Sequence, residues 1–204
     1  MHDEMDILRE VGTIAAAHGG IALSEILDRR INLIIPSVDM VSCSGIANKL
    51  GKGKLGIAVI FKLLTGLKGE AVFILDEKNA FKLISLSQKT KNEERRPDVL
   101  TEVGLSTLKE IGNIVTGAYL SAIGIMLKKV ILTYPPTLIS GTVDEVFNLV
   151  LSSSKAGDYA LLIEAIFEAA DEKMEGGFYL IISRESAEEI KKICKQMLKD
   201  INKK

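Results

Sequence analysis

The stretch STLKEIGNIVTGAYLSAIGIMLKK, residues 106–129, is typical of one long helix with an unusual polar face. At about 100° per residue, one face carries a polar and glycine series: Ser106, Glu110, Asn113, Gly117 and Gly124. The opposite face is apolar and is expected to meet a core: Leu108, Ile111, Val115, Ala118 and Ala122. An ordinary solvated face would be filled with Lys, Glu and Gln. The pattern therefore predicts a ridge that another molecule approaches closely.

The composition indicates a soluble globular protein. A chain of 204 residues can form one large domain or two small ones around a substantial core. The net charge of −1 and the pI of about 6.2 give no electrostatic footprint for nucleic acid or an anionic membrane. The acidic start MHDEMDILREVG does not resemble a signal peptide, and no apolar run approaches the roughly 20 residues of a membrane span. We expect a cytoplasmic protein.

The cysteines and histidines do not predict a metal or redox site. Cys43 and Cys194 are far apart and form no CxxC pattern, so we expect reduced, buried thiols. His2 and His18 lack further ligands at metal spacing. No metal and no cofactor of its own is expected for the chain.

The chain repeats itself. Residues 6–36 align with residues 106–136 without a gap, with eight identities in thirty-one positions. The identical pairs are Leu8/Leu108, Glu10/Glu110, Gly12/Gly112, Ile14/Ile114, Ala22/Ala122, Leu27/Leu127, Ile31/Ile131 and Pro36/Pro136. Further on, LKGEAVFIL (67–75) resembles MEGGFYLII (174–182) at a separation of 107. Two copies are too few for a solenoid, so we predict a single domain, 1–204, with two internal repeats.

Each copy is predicted to contain the same elements. A long helix (3–28 and 98–128) precedes an extended segment (31–42 and 130–140), a β-hairpin (56–64 with 69–75, and 158–168 with 175–183) and a closing helix (77–88 and 185–202). The copies are about 1–88 and 98–204, and the charged stretch 89–97 is predicted to be a linker. The resulting fold class is α+β: a pseudo-twofold duplicated domain with about six antiparallel strands, two long antiparallel helices and further helices.

The residues alone leave the chemistry of the ridge open. No histidine lies near Ser106, so a Ser–His–acid triad is unsupported. Glu110 lacks the second acid of a glycosidase, and GIANKLGKGKLG (45–56) does not have P-loop spacing. Glu110 can pair with a cation and Asn113 can orient a water through its amide. The alternative is a solvated or capping pair with no catalytic role.

A family motif bears on this choice. The pattern [DS]-x3-E-x2-N-x22-P is met by Ser106, Glu110, Asn113 and Pro136, within the string KEIGNIVTGAYLSAI. The chain thereby resembles the CheC–CheX–FliY phosphatases of chemotaxis, and CheC-type members in particular, over essentially its whole length. The first copy carries Asp6, Glu10 and Pro36 in register, but Thr13 stands in place of the asparagine.

The resemblance implies dephosphorylation of the aspartyl phosphate of the response regulator CheY. It implies that Glu110 docks on a lysine of the regulator, while Asn113 orients the attacking water and the regulator supplies Mg²⁺. Because threonine is shorter and lacks the amide, the site at Glu10 and Thr13 is predicted to be degenerate. The alternative is a non-catalytic adaptor that binds CheD or phosphorylated CheY. A small acyl ligand held by the sheet is a third reading, which no polar constellation supports.

The resemblance also implies CheD as a partner. The segment VDEVFNLV (143–150) has no counterpart in the first copy and is predicted to form a short helix. Asp144 and Phe147 are candidate contacts to CheD. The alternative is that the apolar stripe of this helix packs on the sheet.

Overall fold

The computed structural model describes residues 4–42, 53–87, 101–153, 159–169 and 172–201. The predicted linker 89–97, Cys43, His2 and most of the loop 45–56 lie outside these ranges.

The fold is α+β, as predicted, with five helices in the described ranges. These are α1 (Glu4–Leu27), α2 (Glu77–Ser87), α3 (Glu102–Leu127), α4 (Val143–Ser153) and α5 (Arg184–Ile201). Side chains cap the two closing helices: Asp76 Oδ1 accepts from the Asn79 N–H at 2.7 Å at the start of α2, and Ser183 Oγ accepts from the Ser186 N–H at 3.2 Å at the start of α5.

The strands form one antiparallel sheet. They are β1 (Asn32–Ile34), β2 (Val38–Ser42), β3 (Leu55–Lys62), β4 (Gly69–Asp76), β5 (Thr137–Thr142), β6 (Tyr159–Ala169) and β7 (Glu172–Ile182). The order is β1-β6-β7-β4-β3-β5, and β2 also pairs with β6. Strands β1 and β2 occupy one edge position in succession, interrupted at Pro36, so the sheet has six strand positions. Pro36 lies at an edge, where a missing N–H is tolerated.

The two halves of the chain contribute alternately to this sheet. The hairpin β3–β4 lies beside the hairpin β6–β7, and each hairpin is flanked by the edge strand of the other half. The long helices also end alike, since Asp28 and Lys128 both adopt the left-handed conformation, with φ of 49° and 55°. This arrangement is the one expected of two internal repeats, whose common origin stays a prediction.

Helices α1 and α3 pack together on one face of the sheet and position the predicted ridge. Their apolar faces fill the main core, where the Tyr119 ring stacks on Phe178 at 4.9 Å between centroids. Gly112 allows close packing, because a Cβ at this position would lie 3.0 Å from Val59 Cβ. The other face of the sheet holds a smaller core covered by α4.

Helix α3 corrects the expectation that no segment of the chain is long and apolar enough to span a membrane. Its most apolar window reaches a mean hydropathy of 1.4, enough by length and composition alone to cross a membrane. Half of that window is buried inside the fold, and Glu110 lies exposed on the same helix. The helix is therefore apolar because it forms the core beneath the ridge.

The extended segment of the second half is shorter than predicted. Residues 130–136 form no strand apart from a bridge between Leu63 and Thr133, and β5 begins after Pro136. Two successive prolines remove two backbone donors, so a ladder cannot continue through them. Helix α3 begins at Glu102, where Thr101 Oγ1 accepts from the Gly104 N–H at 3.1 Å.

Candidate functional site

The α3 ridge presents its polar side chains to solvent, as the helical spacing predicts. Ser106, Glu110 and Asn113 are all exposed. In the described part of the chain, the Glu110 and Asn113 side chains form no hydrogen bond or ion pair with other residues. Their carboxylate and amide are therefore available to a partner molecule without breaking a contact to any other described residue.

The two glycines of the ridge differ. Gly117 is exposed, and a Cβ placed on it would meet no atom within 4 Å. Gly124 is buried, because the chain reverses after Lys128 and a Cβ at Gly124 would lie 2.7 Å from the Lys129 carbonyl oxygen. The predicted glycine track is thus wrong at its far end, since Gly124 serves the end of the helix and only Gly117 continues the exposed ridge.

The corresponding ridge on α1 makes contacts within its own helix. The Arg9 guanidinium donates to Asp6 Oδ1 at 2.9 Å, and the Thr13 hydroxyl donates to the Arg9 carbonyl at 3.0 Å. Glu10 is exposed. Because its hydroxyl proton is used within the helix, Thr13 has no free donor to offer a partner.

A groove between α1 and α3 lies beside Asn113. It has a volume of about 350 Å³ and is lined mainly by apolar groups. Its lining includes Ile14 and His18 of α1 and Asn113, Gly117, Ser121 and Ile125 of α3. Ile125 is 80% exposed at the rim. The sequence did not predict that His18, Ile14 and Ile125 line a site, although the 3.6-residue period places Ile14 and His18 on one side of α1.

The side chains of the α3 ridge are suited to positioning a cation and a water molecule on a partner. The described residues contain no cluster of three or more His, Cys, Asp or Glu that could hold a metal ion. The thiol of Cys194 is buried, and burial, with a smaller contribution from Glu4, raises its pKa to about 11. It stays protonated at neutral pH, so it is not a reactive nucleophile. An exposed carboxylate and carboxamide one turn apart can instead bind a cation and orient a water on another molecule.

Helix α4 bears on the predicted CheD contact. Phe147 is buried and packs edge-on against Tyr179 with ring centroids 4.9 Å apart, and Val146 and Val150 are buried beside it. The apolar stripe therefore packs on the sheet, and Phe147 is not accessible to a partner. Asp144 Oδ1 accepts a hydrogen bond from the Gly53 N–H at 3.0 Å.

The remaining motif positions lie apart from this chemistry. Pro136 is half-buried immediately before β5, and Pro36 is exposed between β1 and β2. In the described residues each proline marks the point where an edge strand begins or is interrupted, a position where the missing N–H is tolerated.

A known protein family matches the part of the chain that contains the α3 ridge. The model of the CheC-like family matches residues 99–140, the stretch that holds Ser106, Glu110, Asn113 and Pro136. A curated relative, the CheY-P phosphatase CheC of Bacillus subtilis, is 28% identical over 198 residues, covering 92% of each chain.

Solved structures share the fold. FliY of Thermotoga maritima aligns with a TM-score of 0.74 at 22% identity, over 96% of this chain and 98% of its own. FliM of H. pylori, solved in a complex with SpeE, aligns with a TM-score of 0.64 at 14% identity, over 96% of both chains. At these identities the structures show the fold alone. Together with the family match and the curated relative, they confirm that the chain resembles the CheC-like family.

Proposed function

We propose that this protein is a cytoplasmic chemotaxis phosphatase that hydrolyses the aspartyl phosphate of the response regulator CheY. The proposal rests on one observation: the side chains of Glu110 and Asn113 are exposed and have no hydrogen-bond or ion-pair partner among the described residues. Both lie within the stretch matched by the CheC-like family. The relative from Bacillus subtilis named for this activity adds support over nearly the full chain.

The proposed roles follow from the chemistry of the two side chains. Glu110 forms an ion pair with a lysine of the regulator, which sets the register of the complex. Asn113 holds a water in line with the phosphorus through its amide. The water oxygen attacks phosphorus and the bond from phosphorus to the aspartate oxygen breaks, which frees the aspartate as a carboxylate and releases inorganic phosphate carrying the protons of the water. A Mg²⁺ ion held by the regulator would supply the neutralisation of the phosphoryl charge, and this chain contributes positioning rather than covalent chemistry.

The shape of the ridge favours such a complex. Close approach of a regulator loop to Asn113 needs room beside it, which Gly117 provides because it carries no side chain. The adjoining groove offers Ile14 and Ile125 for apolar contacts at the edge of the same interface. Burying such exposed apolar surface contributes to binding.

A non-catalytic adaptor is the second candidate. The α1 ridge favours the adaptor, because the Thr13 hydroxyl bonds within its own helix and offers no donor to a partner. An adaptor does not explain why the α3 ridge keeps both Glu110 and Asn113 with side chains that bond to no other described residue. We retain CheD as a proposed partner. Its contact on α4 would use the half-buried Asp144 and the exposed Glu145 beside it rather than the buried Phe147.

The experiment is a phosphate-release assay on CheY charged with acetyl phosphate in the presence of Mg²⁺. We expect the chain to accelerate dephosphorylation, and Asn113→Ala to lower this acceleration by about a hundredfold, because misplacing the water by about 1 Å has such a cost. Thr13→Ala is the matched control and is expected to leave the rate unchanged. An Asn113→Ala variant that folds and keeps its rate would refute the assigned role, and binding of CheY without any acceleration would favour the adaptor.

A further inference from the structure

An apolar strip lies at one edge of the sheet, away from the ridge residues. In the extended segment 130–134, three alternate side chains point outward: Val130 is 71%, Leu132 50% and Tyr134 47% exposed. Leu64, on the turn between β3 and β4, is 49% exposed and lies beside them, since its N–H donates to the Leu132 carbonyl at 2.7 Å. Contiguous exposed apolar side chains of this kind mark interaction surfaces. We call Leu64, Val130, Leu132 and Tyr134 the edge strip.

The backbone beneath the edge strip is bonded on one side. Leu132 and Tyr134 bond toward β3 and the following turn, through the Leu64 N–H, the Thr65 hydroxyl and the Lys62 carbonyl. The N–H and C=O groups of Ile131 and Thr133 take part in no hydrogen bond within the described ranges. The free groups alternate along an extended chain, as at an unpaired sheet edge, which can accept a further strand.

The opposite edge of the sheet shows that the fold does not require this apolar surface. The residues 100 positions earlier, Arg30, Asn32 and Ile34, are also exposed, but two of the three are polar or charged. Polar and charged side chains are a common means of protecting edges from unwanted pairing. At residues 130–134 the three outward side chains are all apolar, so this protection is absent from the extended segment itself and its edge stays open to pairing.

The charges beside the edge strip define its partner further. Lys62 and Lys128 are exposed at its two ends and form no ion pair in the part of the chain that is described. The neighbouring Lys129 is instead paired with Glu189 at 2.7 Å. A segment with acidic side chains at its ends would therefore complement the strip, whereas a second copy of this chain would bring the same lysines.

We propose that the edge strip binds an extended segment of a partner protein, with alternating apolar side chains and acidic ends, as an added β-strand. The free groups of Ile131 and Thr133 supply the backbone hydrogen bonds, and Val130, Leu132 and Tyr134 contact the apolar side chains. Lys62 and Lys128 pair with the acidic ends. This is strand addition to an exposed sheet edge, in which the backbone gives affinity and alternate side chains give specificity.

The probe is a short synthetic peptide of Val and Ile alternating with Thr, with Asp at both ends, followed by fluorescence anisotropy. We expect saturable binding that Leu132→Asp weakens at least about tenfold. The same change at the opposite edge, Ile34→Asp, is expected to leave binding unchanged. Circular dichroism verifies that both variants fold, and Tyr134→Lys is a second variant of the strip.

Two further peptides test the mode of binding. A peptide N-methylated at alternate amides keeps its side chains but loses the donors of a strand pair, and is expected not to bind. A peptide with Lys at both ends is expected to bind more weakly than the one with Asp. Absence of binding, equal losses at Leu132 and Ile34, or a dimer of this chain that Leu132→Asp dissociates would each overturn the proposal.

Discussion

The ridges on α1 and α3 are similar in shape and differ in the state of their polar groups. Both present a glutamate one turn before a second polar residue, on long helices packed against each other. On α1 the Thr13 hydroxyl bonds to the Arg9 carbonyl, and Asp6 pairs with Arg9. On α3 the side chains of Glu110 and Asn113 make no such contacts in the described structure.

On the prediction that the two halves are internal repeats, and under the proposed function, one of two similar surfaces has lost its chemical role while both halves keep their fold. The positions that hold the helices together face the core in both halves, so packing does not depend on residue 13 or 113. Exposed positions of this kind tolerate substitution with little change in stability. We therefore expect substitutions at residues 13 and 113 to differ in their effect on activity, and both to change the free energy of unfolding very little.

The largest effect is expected from reversing the charge of the proposed docking residue. Glu110→Lys places like charges against the regulator's lysine, which costs several kcal/mol, and is expected to lower kcat/KM for phosphate release by about a hundredfold or more. Glu10→Lys is the same change on α1 and is expected to have a small effect. Equal losses in the two variants would show that both ridges, or neither, dock the regulator.

A bulky side chain placed on each ridge tests whether the regulator approaches α3 and not α1. Gly117→Leu is expected to lower kcat/KM by about tenfold, equivalent to about 1.4 kcal/mol, because the added side chain obstructs approach to Asn113. The matched variant Ala17→Leu lies at the corresponding position of α1 and is expected to retain its rate. Retention of the rate by Gly117→Leu would show that the regulator does not approach over this surface.

Restoring the missing amide is expected to have a modest effect. Thr13→Asn provides the α1 ridge with the amide that α3 already has, and two independent sites would at most about double the rate. The test is made in an Asn113→Ala background, where any activity of the first site is seen alone. Activity restored there would indicate that Thr13 is the main defect, and no activity would mean that other residues of α1 also differ.

The smallest effects concern stability and distinguish Gly117 from Gly124, the two glycines of the predicted ridge. Gly117→Ala is expected to raise the free energy of unfolding by about 0.5–1 kcal/mol, because alanine restricts the unfolded chain and meets no atom. Gly124→Ala is expected to lower it by about 1–2 kcal/mol through the clash with the Lys129 carbonyl. Urea unfolding measures both. Destabilisation by Gly117→Ala would mean that the ridge packs against part of the chain.

Much of the fold could be predicted because periodicity reports which face of an element is buried. The 3.6-residue period identified α1 and α3, and the hairpin turns placed β3, β4, β6 and β7. The buried position of Gly124 could not be predicted, since it depends on how the chain reverses after Lys128. The length of β5 was overestimated because the sequence does not show which backbone groups find partners around Pro135 and Pro136.

The candidate site was predicted in part for the same reason. Helical spacing placed Glu110 and Asn113 on an exposed face. The groove was not predicted, because it forms where His18 and Ile14 of one helix meet residues of another about 100 positions away. The same limit applies to α4, whose stripe could face either solvent or sheet until the structure placed Phe147 against Tyr179.

The most direct test of the account is a single-turnover measurement of dephosphorylation with Asn113→Thr, which gives α3 the residue that α1 has. The hydroxyl of a threonine there is expected to bond to the Lys109 carbonyl, as Thr13 does to Arg9. The account predicts that phosphorylated CheY then decays at its rate without the protein, while still binding through Glu110. Decay at the rate given by the unaltered chain would contradict the claim that Asn113 directs the attacking water.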